Sequence, residues 1–563
     1  MRLRVTSISA AAVLLAATAV AAGPAAAATC ESLAGLALPN TTITLAKSFA
    51  GGTFTAPNGQ NFANMPAFCQ VHGVATPTSV SAINFEVWLP AASWNSRLEG
   101  LGNGGLAGTI SFSAMAPAVQ AGYAATSTDT GHTPPEPQTW LLNRDLVIDY
   151  SYRGLHLTTV NAKSIIGAFY GVGPSFSYYS GCSTGGKQAL MEAQRFPEDY
   201  DGIIGGDAAN FWTHQMMSEV WDGQASDTPA TNFTPANLQL LQNAALARCA
   251  GQDGGLRTDA FLTDPRDCHF DPAALQCTAN QDPSTCLTAA QVAAAKKIYQ
   301  GPTNPRTGQS LYPGLERGGE VGWGPAGGQF VINRTTTSGV SSFDWFRFAV
   351  FNNPNWDFRT FNFDSDATLT DTEWDSVANS TNPDIEPFRS LGHKMIYYHG
   401  FADPLIPAFN GINYYESVVA DQAGRRHGED DDREGALAET REFFRAFMVP
   451  GMYHCGGGPG ATIFAASSGA TADAEHDVLS ALVQWVEHGV APRRIVATKF
   501  VNDNAANGIA FQRPLCPYPE VAAYRGFGDP TSAQSFTCVT DDRDSASRSR
   551  GGDDDRDRGH DRD

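Results

Sequence analysis

Between Phe176 and Pro197 the chain reads FSYYSGCSTGGKQALMEAQRFP, and this stretch constrains its fold more than any other. The aromatic run from Phe176 to Gly181 has strand character. The run from Lys187 to Phe196 is rich in helix formers and stops before Pro197. Gly181-Cys182-Ser183-Thr184-Gly185 leaves only a sharp strand-to-helix turn between them, with small residues on both sides of a serine. Similar units recur. DGIIGGDAA (Asp201 to Ala209) and KMIYYHG (Lys394 to Gly400) read as buried strands, and HDVLSALVQWVEHG (His476 to Gly489) as an amphipathic helix stopped by glycine. Strands alternating with helices predict an α/β fold on a mainly parallel sheet.

A length of 563 residues suits two to four domains, or one enlarged α/β domain carrying an insertion. Residues 209–390 differ from their surroundings. They are rich in Asn, Thr, Asp, Gly and Pro and hold four closely spaced cysteines. They are expected to form an inserted lid domain whose thin core is offset by small disulfide loops. Residues 29–208 and 391–540 then make up the α/β unit. Residues 541–563, DDRDSASRSRGGDDDRDRGHDRD, lack apolar periodicity and read as a disordered tail. The polar run from Asp421 to Gly435 reads as a surface insertion.

Residues 1–28 begin with Arg2 and Arg4, continue through an Ala/Val/Leu run and end in Ala26-Ala27-Ala28. This is the pattern of a secretory signal peptide; the alternative, a membrane anchor, needs a longer apolar run. Export, extracellular or periplasmic, places the ten cysteines where disulfides persist, and an even number allows five bridges. No Cys-x-x-Cys pair gives zinc spacing. The net charge, −21 overall and −23 without the two leader arginines, argues against nucleic acid or an anionic membrane as partner.

The strand–turn–helix context makes Ser183 a candidate nucleophile at an elbow of the α/β-hydrolase kind; the alternative is a tight structural turn. In that fold the acid and then the base follow the serine in chain order. Asp403, in a turn after the KMIYYHG strand, is the candidate acid, unless it merely caps the turn before Pro404. Asp384 and Glu386 are alternatives that follow no strand. His454 is the candidate base, in the Gly-rich loop of FMVPGMYHCGGGPG; His476 and His488 fall on the expected terminal helix. The backbone N–H of Thr184 is expected to face a developing oxyanion, together with an N–H from GNGGLAG, where Gly102, Gly104 and Gly105 permit close approach. Gly104 and Gly105 are the preferred donors, against a glycine turn with no such part. Cys182 precedes Ser183 and Cys455 follows His454. If serine and histidine are within hydrogen-bond reach, their neighbours are close enough to bridge. The rival reading makes Cys182 itself a nucleophile.

With Cys182-Ser183, Asp403 and His454-Cys455 in place, the chain resembles the tannase and feruloyl esterase family and its CS-D-HC arrangement. GNGGLAG, TSTDTGH (Thr126 to His132) and the run from Asp149 to Gly171 extend the likeness, which covers the chain from Cys30 to about Cys538. The resemblance implies an α/β-hydrolase core with a lid and hydrolysis of aromatic acid esters without a catalytic cofactor. It implies the pairings Cys30–Cys69, Cys249–Cys268, Cys277–Cys286 and Cys516–Cys538 beside Cys182–Cys455. It also implies a structural calcium in the lid, with Asp253, Asp259 and the Phe261 carbonyl as ligands. Ala250 departs from the family pattern there, where an aspartate is usual.

The expected activity is that of a secreted serine carboxylic-ester hydrolase on feruloyl, galloyl or similar small, plant-derived esters. A terephthalate monoester hydrolase, an acyltransferase with the same triad and a non-catalytic phenolic-binding protein are the alternatives. Lid aromatics Trp212, Trp221, Trp323, Phe343, Trp345 and Phe348 serve either as ring contacts or as core.

Overall fold

The structure, a computed structural model, describes residues 28–106, 108–133, 138–324, 332–334, 340–425 and 433–540. The expected leader up to residue 27, the expected tail and residues 426–432 of the polar run lie outside the described residues. Among the described residues no helix is long and apolar enough to cross a membrane.

One nine-stranded sheet organises the chain. Its strands are β1 (Thr41–Phe49), β2 (Phe68–Ala75), β3 (Ile83–Pro90), β4 (Arg97–Leu101), β5 (Ala124–Thr128), β6 (Phe176–Cys182), β7 (Gly202–Gly206), β8 (Lys394–Gly400) and β9 (Phe444–Val449). Their order is β1-β2-β3-β5-β4-β6-β7-β8-β9. Pairing from β1 to β5 through β3 is antiparallel, and from β5 to β9 it is parallel. The parallel part needs crossover helices, and the helical runs supply them. They are α1 (Phe112–Gln120), α2 (Gly154–Tyr170), α3 (Thr184–Arg195) and, after the large insertion, α5 (Ala408–Arg425), with α6 (Val478–His488) following β9. His476 lies just before α6, whose start is capped by the Asp477 side chain and whose end is Gly489 in the left-handed region.

The strand alternation sorts the core into two layers. Tyr179, Ile203, Met395 and Tyr397 pack with Leu155 of α2, Leu190 of α3 and Val418 of α5. Their neighbours Tyr178, Ile204 and Ile396 point the other way, onto Val119 of α1 and Leu482 of α6. A sheet covered on both faces accepts strands as continuously apolar as GIIGG.

Residues 209–390 connect β7 to β8, and their described residues add no strand to the sheet. They open with α4 (Trp212–Ala225). Their core is not thin: an aromatic cluster gathers Trp212, Phe343, Trp345, Phe358 and Trp374 with Trp140 and Tyr150 from the α/β unit. A second cluster surrounds Phe233, Leu241, Ile298 and Trp323. The polar composition of this segment hides the aromatics that carry its packing. Cys249–Cys268 and Cys277–Cys286 bridge the second part, and Cys30–Cys69 and Cys516–Cys538 complete the pairings that the resemblance implied.

Candidate active site

Close backbone contact builds the elbow. β6 ends at Cys182 and α3 starts at Thr184, leaving Ser183 at the corner with φ 65° and ψ −122°. A Cβ on Gly181 would lie 2.5 Å from the Gly185 carbonyl oxygen, so the corner closes only with glycine there. The Ser183 N–H donates to the Gly206 carbonyl at 2.9 Å, which ties the corner to the end of β7.

His454 reaches Ser183 from the loop after β9. Its Nε2 is 2.8 Å from Ser183 Oγ, and its Nδ1 is 2.8 Å from Asp403 Oδ2. Asp403 occupies the turn after β8, where Oδ1 accepts the Leu405 and Ile406 N–H groups at 2.8 and 3.1 Å. One Asp403 oxygen therefore caps the turn while the other bonds the imidazole. Asp384 is engaged elsewhere, with Arg425, and Glu386 with Ser390.

Burial would raise the Asp403 carboxyl, but the His454 charge and hydrogen bond, with His399, outweigh it and hold it below its ordinary value. Burial presses His454 down, yet the Asp403 charge and hydrogen bond raise it above its ordinary value. Asp207 also faces His454. Burial and then the Asp403 charge push the Asp207 carboxyl well above its usual range.

Cys182 and Cys455 are bridged, with Cα atoms 5.9 Å apart, and no cysteine is free. The reading of Cys182 as a nucleophilic thiolate is thereby removed, since its sulfur is already bonded. Asp207 lies beneath the bridge. Its Oδ1 accepts the Gly400 N–H at 2.7 Å and its Oδ2 the Cys455 N–H at 3.1 Å. One buried side chain thus ties the ends of β7 and β8 and the histidine loop together.

The three glycines of GNGG separate in role. Gly102 is needed for packing, because a Cβ there would lie 2.8 Å from Gly185 Cα. Gly105, at φ 55°, lines the same cavity as Ser183 and Thr184, whereas Gly104 is not among its lining residues. Thr184 opens α3, so its N–H has no acceptor within the helix. The Gly105 carbonyl accepts from Tyr150 Oη at 2.7 Å and Thr184 Oγ1 at 2.9 Å, and Asn103 is clamped to Gln188 through two hydrogen bonds. This loop follows β4.

The cavity at Ser183 has a volume of about 230 Å³, below the usual range of about 300–1,000 Å³ for ligand sites. Of the expected aromatics only Trp212 lines it; Trp221, Trp323, Phe343, Trp345 and Phe348 pack within the inserted segment. Lys187 is buried with its Nζ 4.8 Å from the Trp212 ring centroid and 4.9 Å from that of Tyr150, and has no hydrogen-bond acceptor. A second groove of about 520 Å³ is larger, but its lining includes neither Ser183 nor His454.

The expected calcium ligands do not fit a cation. Both Asp253 oxygens face N–H donors, from Gly251 and Gly255 on Oδ1 and from Thr263 and Asp264 on Oδ2. Asp259 pairs with the Arg513 guanidinium at 2.9 Å and accepts the Leu256 N–H. The Phe261 ring is buried and stacks on Phe511. Donor hydrogens and a fixed positive charge stand where Ca²⁺ would require free oxygens.

Sequence reading missed Asp207, Gln188, Lys187, Gln215 and Glu219. The Asp in GGDAA at the end of a strand was the one local signal among them. A family model described as Tannase and feruloyl esterase matches residues 69–539. An uncharacterized esterase of Xanthomonas campestris pv. campestris is 39% identical over 535 residues, spanning 92% of each chain. Feruloyl esterase C of Talaromyces stipitatus is 32% identical over 522 residues, 91% of this chain and 94% of that one. The crystal structure of feruloyl esterase B from Aspergillus oryzae superposes with a TM-score of 0.81 at 30% identity, covering 91% of this chain and 99% of that one.

Proposed function

Because this chain belongs to the tannase and feruloyl esterase family of carboxylic ester hydrolases, we propose that it cleaves esters of hydroxycinnamic or hydroxybenzoic acids through an acyl-enzyme on Ser183. The observation that carries this reading is His454, held 2.8 Å from Ser183 Oγ on one side and 2.8 Å from Asp403 on the other.

The steps follow from that geometry. His454 Nε2 takes the Ser183 proton as Oγ attacks the ester carbonyl, and Asp403 stabilises the imidazolium. The Thr184 and Gly105 N–H groups are the proposed donors to the tetrahedral oxyanion. The imidazolium returns its proton to the leaving alcohol. Water, deprotonated by the same nitrogen, then releases the aromatic acid and restores Ser183. Residues 209–390 act as the lid that closes the acyl cavity, since Trp212, Met216 and Val340 form its walls. Five bridges and the leader pattern support export to an oxidising compartment.

The test is Ser183→Ala assayed on methyl ferulate, methyl gallate and monomethyl terephthalate. Hydrolysis is expected to fall by about 10³-fold or more with the fold retained by circular dichroism. Wild-type turnover in the variant refutes the reading.

A further inference from the structure

The acyl cavity is apolar along most of its wall, with Trp212, Met216, Val340, Leu405 and Ile406. Ser341 also lines it, and two longer polar side chains interrupt it, Gln215 and Glu219. Both belong to α4, and their positions explain why they face inward. Trp212, Gln215, Met216 and Glu219 follow the i, i+3, i+4, i+7 spacing, which places all four on one helix face.

A carboxyl group on an apolar wall is costly unless it has a partner. Glu219 is 8% exposed. Gln215 Nε2 donates to its Oε1 at 2.5 Å. That bond also fixes the amide and leaves the Gln215 carbonyl oxygen buried without a hydrogen-bond partner. The same bond engages Glu219 Oε1, and Glu219 faces the cavity as an acceptor.

Resting on the aromatic-ester reading above, we infer that Glu219, steadied by Gln215, is a specificity-determining residue that accepts a hydrogen bond from a ring hydroxyl of the acyl group. A phenol O–H brings a donor to the Glu219 acceptor. Burial pushes the Glu219 carboxyl up to about 7. A ring carboxylate brings only acceptors, and a like charge wherever Glu219 is ionised, so monoesters of terephthalate are disfavoured. Sites built around a substrate hydroxyl reject the analogue without it, because their own polar groups are then left unpaired. The alcohol half of the ester is not read here, since the wall belongs to the cavity that takes the acyl ring.

The experiment measures kcat/KM for methyl 4-hydroxybenzoate, methyl benzoate and monomethyl terephthalate with wild type, Glu219→Gln and Glu219→Leu. Wild type is expected to prefer the hydroxy ester over the unsubstituted one by about 10- to 100-fold. Glu219→Leu brings that ratio near one, Glu219→Gln leaves an intermediate ratio, and both narrow the gap to the terephthalate ester. A purely structural role for Glu219 lowers all three values together and leaves the ratios unchanged, which overturns the inference. A wild-type ratio near one also overturns it, even if the leucine variant fails to fold, while leaving the aromatic-ester reading standing. Wild type that cleaves p-nitrophenyl acetate but none of the three aromatic esters removes that reading itself.

Discussion

Removing the Cys182–Cys455 bridge with the double change Cys182→Ala and Cys455→Ala separates stability from catalysis. The bridge joins residues 273 apart in sequence, the longest separation among the five. In the chain-entropy model a loop of that length restricts the unfolded chain by about 5–6 kcal/mol. The Cys249–Cys268 and Cys277–Cys286 bridges lie inside the loop, but they shorten it little and the dependence is logarithmic. With an unfolding entropy of about 2 cal/mol/K per residue over roughly 500 residues, the loss lowers Tm by about 5 °C. The catalytic effect has a different origin. The bridge joins the residue before Ser183 to the residue after His454, and a displacement of about 1 Å between reacting groups costs about 10²-fold. Asp207 still holds the Cys455 N–H at 3.1 Å, so the loop is loosened rather than lost. A fall in kcat of about 10- to 100-fold is therefore expected on methyl ferulate, with KM changed less than about threefold, because the cavity walls Trp212, Met216 and Ile406 belong neither to the Ser183 elbow nor to the His454 loop. Differential scanning calorimetry and steady-state kinetics well below the transition measure the two effects. A variant that melts lower but keeps wild-type kcat refutes the argument that the bridge sets the geometry of base and nucleophile.

The base works only as neutral imidazole, and Asp403 raises its pKa, so kcat/KM is lost as pH falls through a midpoint above the ordinary histidine value of about 6.5. Asp403→Asn lowers that midpoint and reduces kcat by about 10³- to 10⁴-fold; equal midpoints in a pH–rate profile contradict the assignment. Dialysis against EDTA is expected to leave Tm and activity unchanged, whereas Arg513→Met, which strands Asp259 in a largely buried site, costs about 3–5 kcal/mol in denaturant titrations. A Tm that drops on chelation and recovers with calcium refutes the account of that loop.

The sequence by itself determined the parts that short-range chemistry dictates. A strand, a glycine-flanked serine and a helix within about twenty residues specify an elbow. An aspartate after a strand and a histidine in a glycine loop point to its partners. The cysteines beside Ser183 and His454 were legible as a pair because covalent neighbours of touching residues must also be near. What lay across long separations was decided by the tertiary structure. Asp207 is 248 residues from the Cys455 N–H it accepts, and Asp259 is 254 from the Arg513 that stands against a cation. Gly102, Gly104 and Gly105 are indistinguishable as letters, and only the approach of Gly185 assigns packing to the first. Gln215 and Glu219 look like any exposed pair at i, i+4 on a helix, and become part of the cavity wall only because α4 turns that face toward Ser183. Local propensity acts through backbone geometry within a few residues, whereas the use of a buried polar group depends on which distant partner the folded chain brings to it.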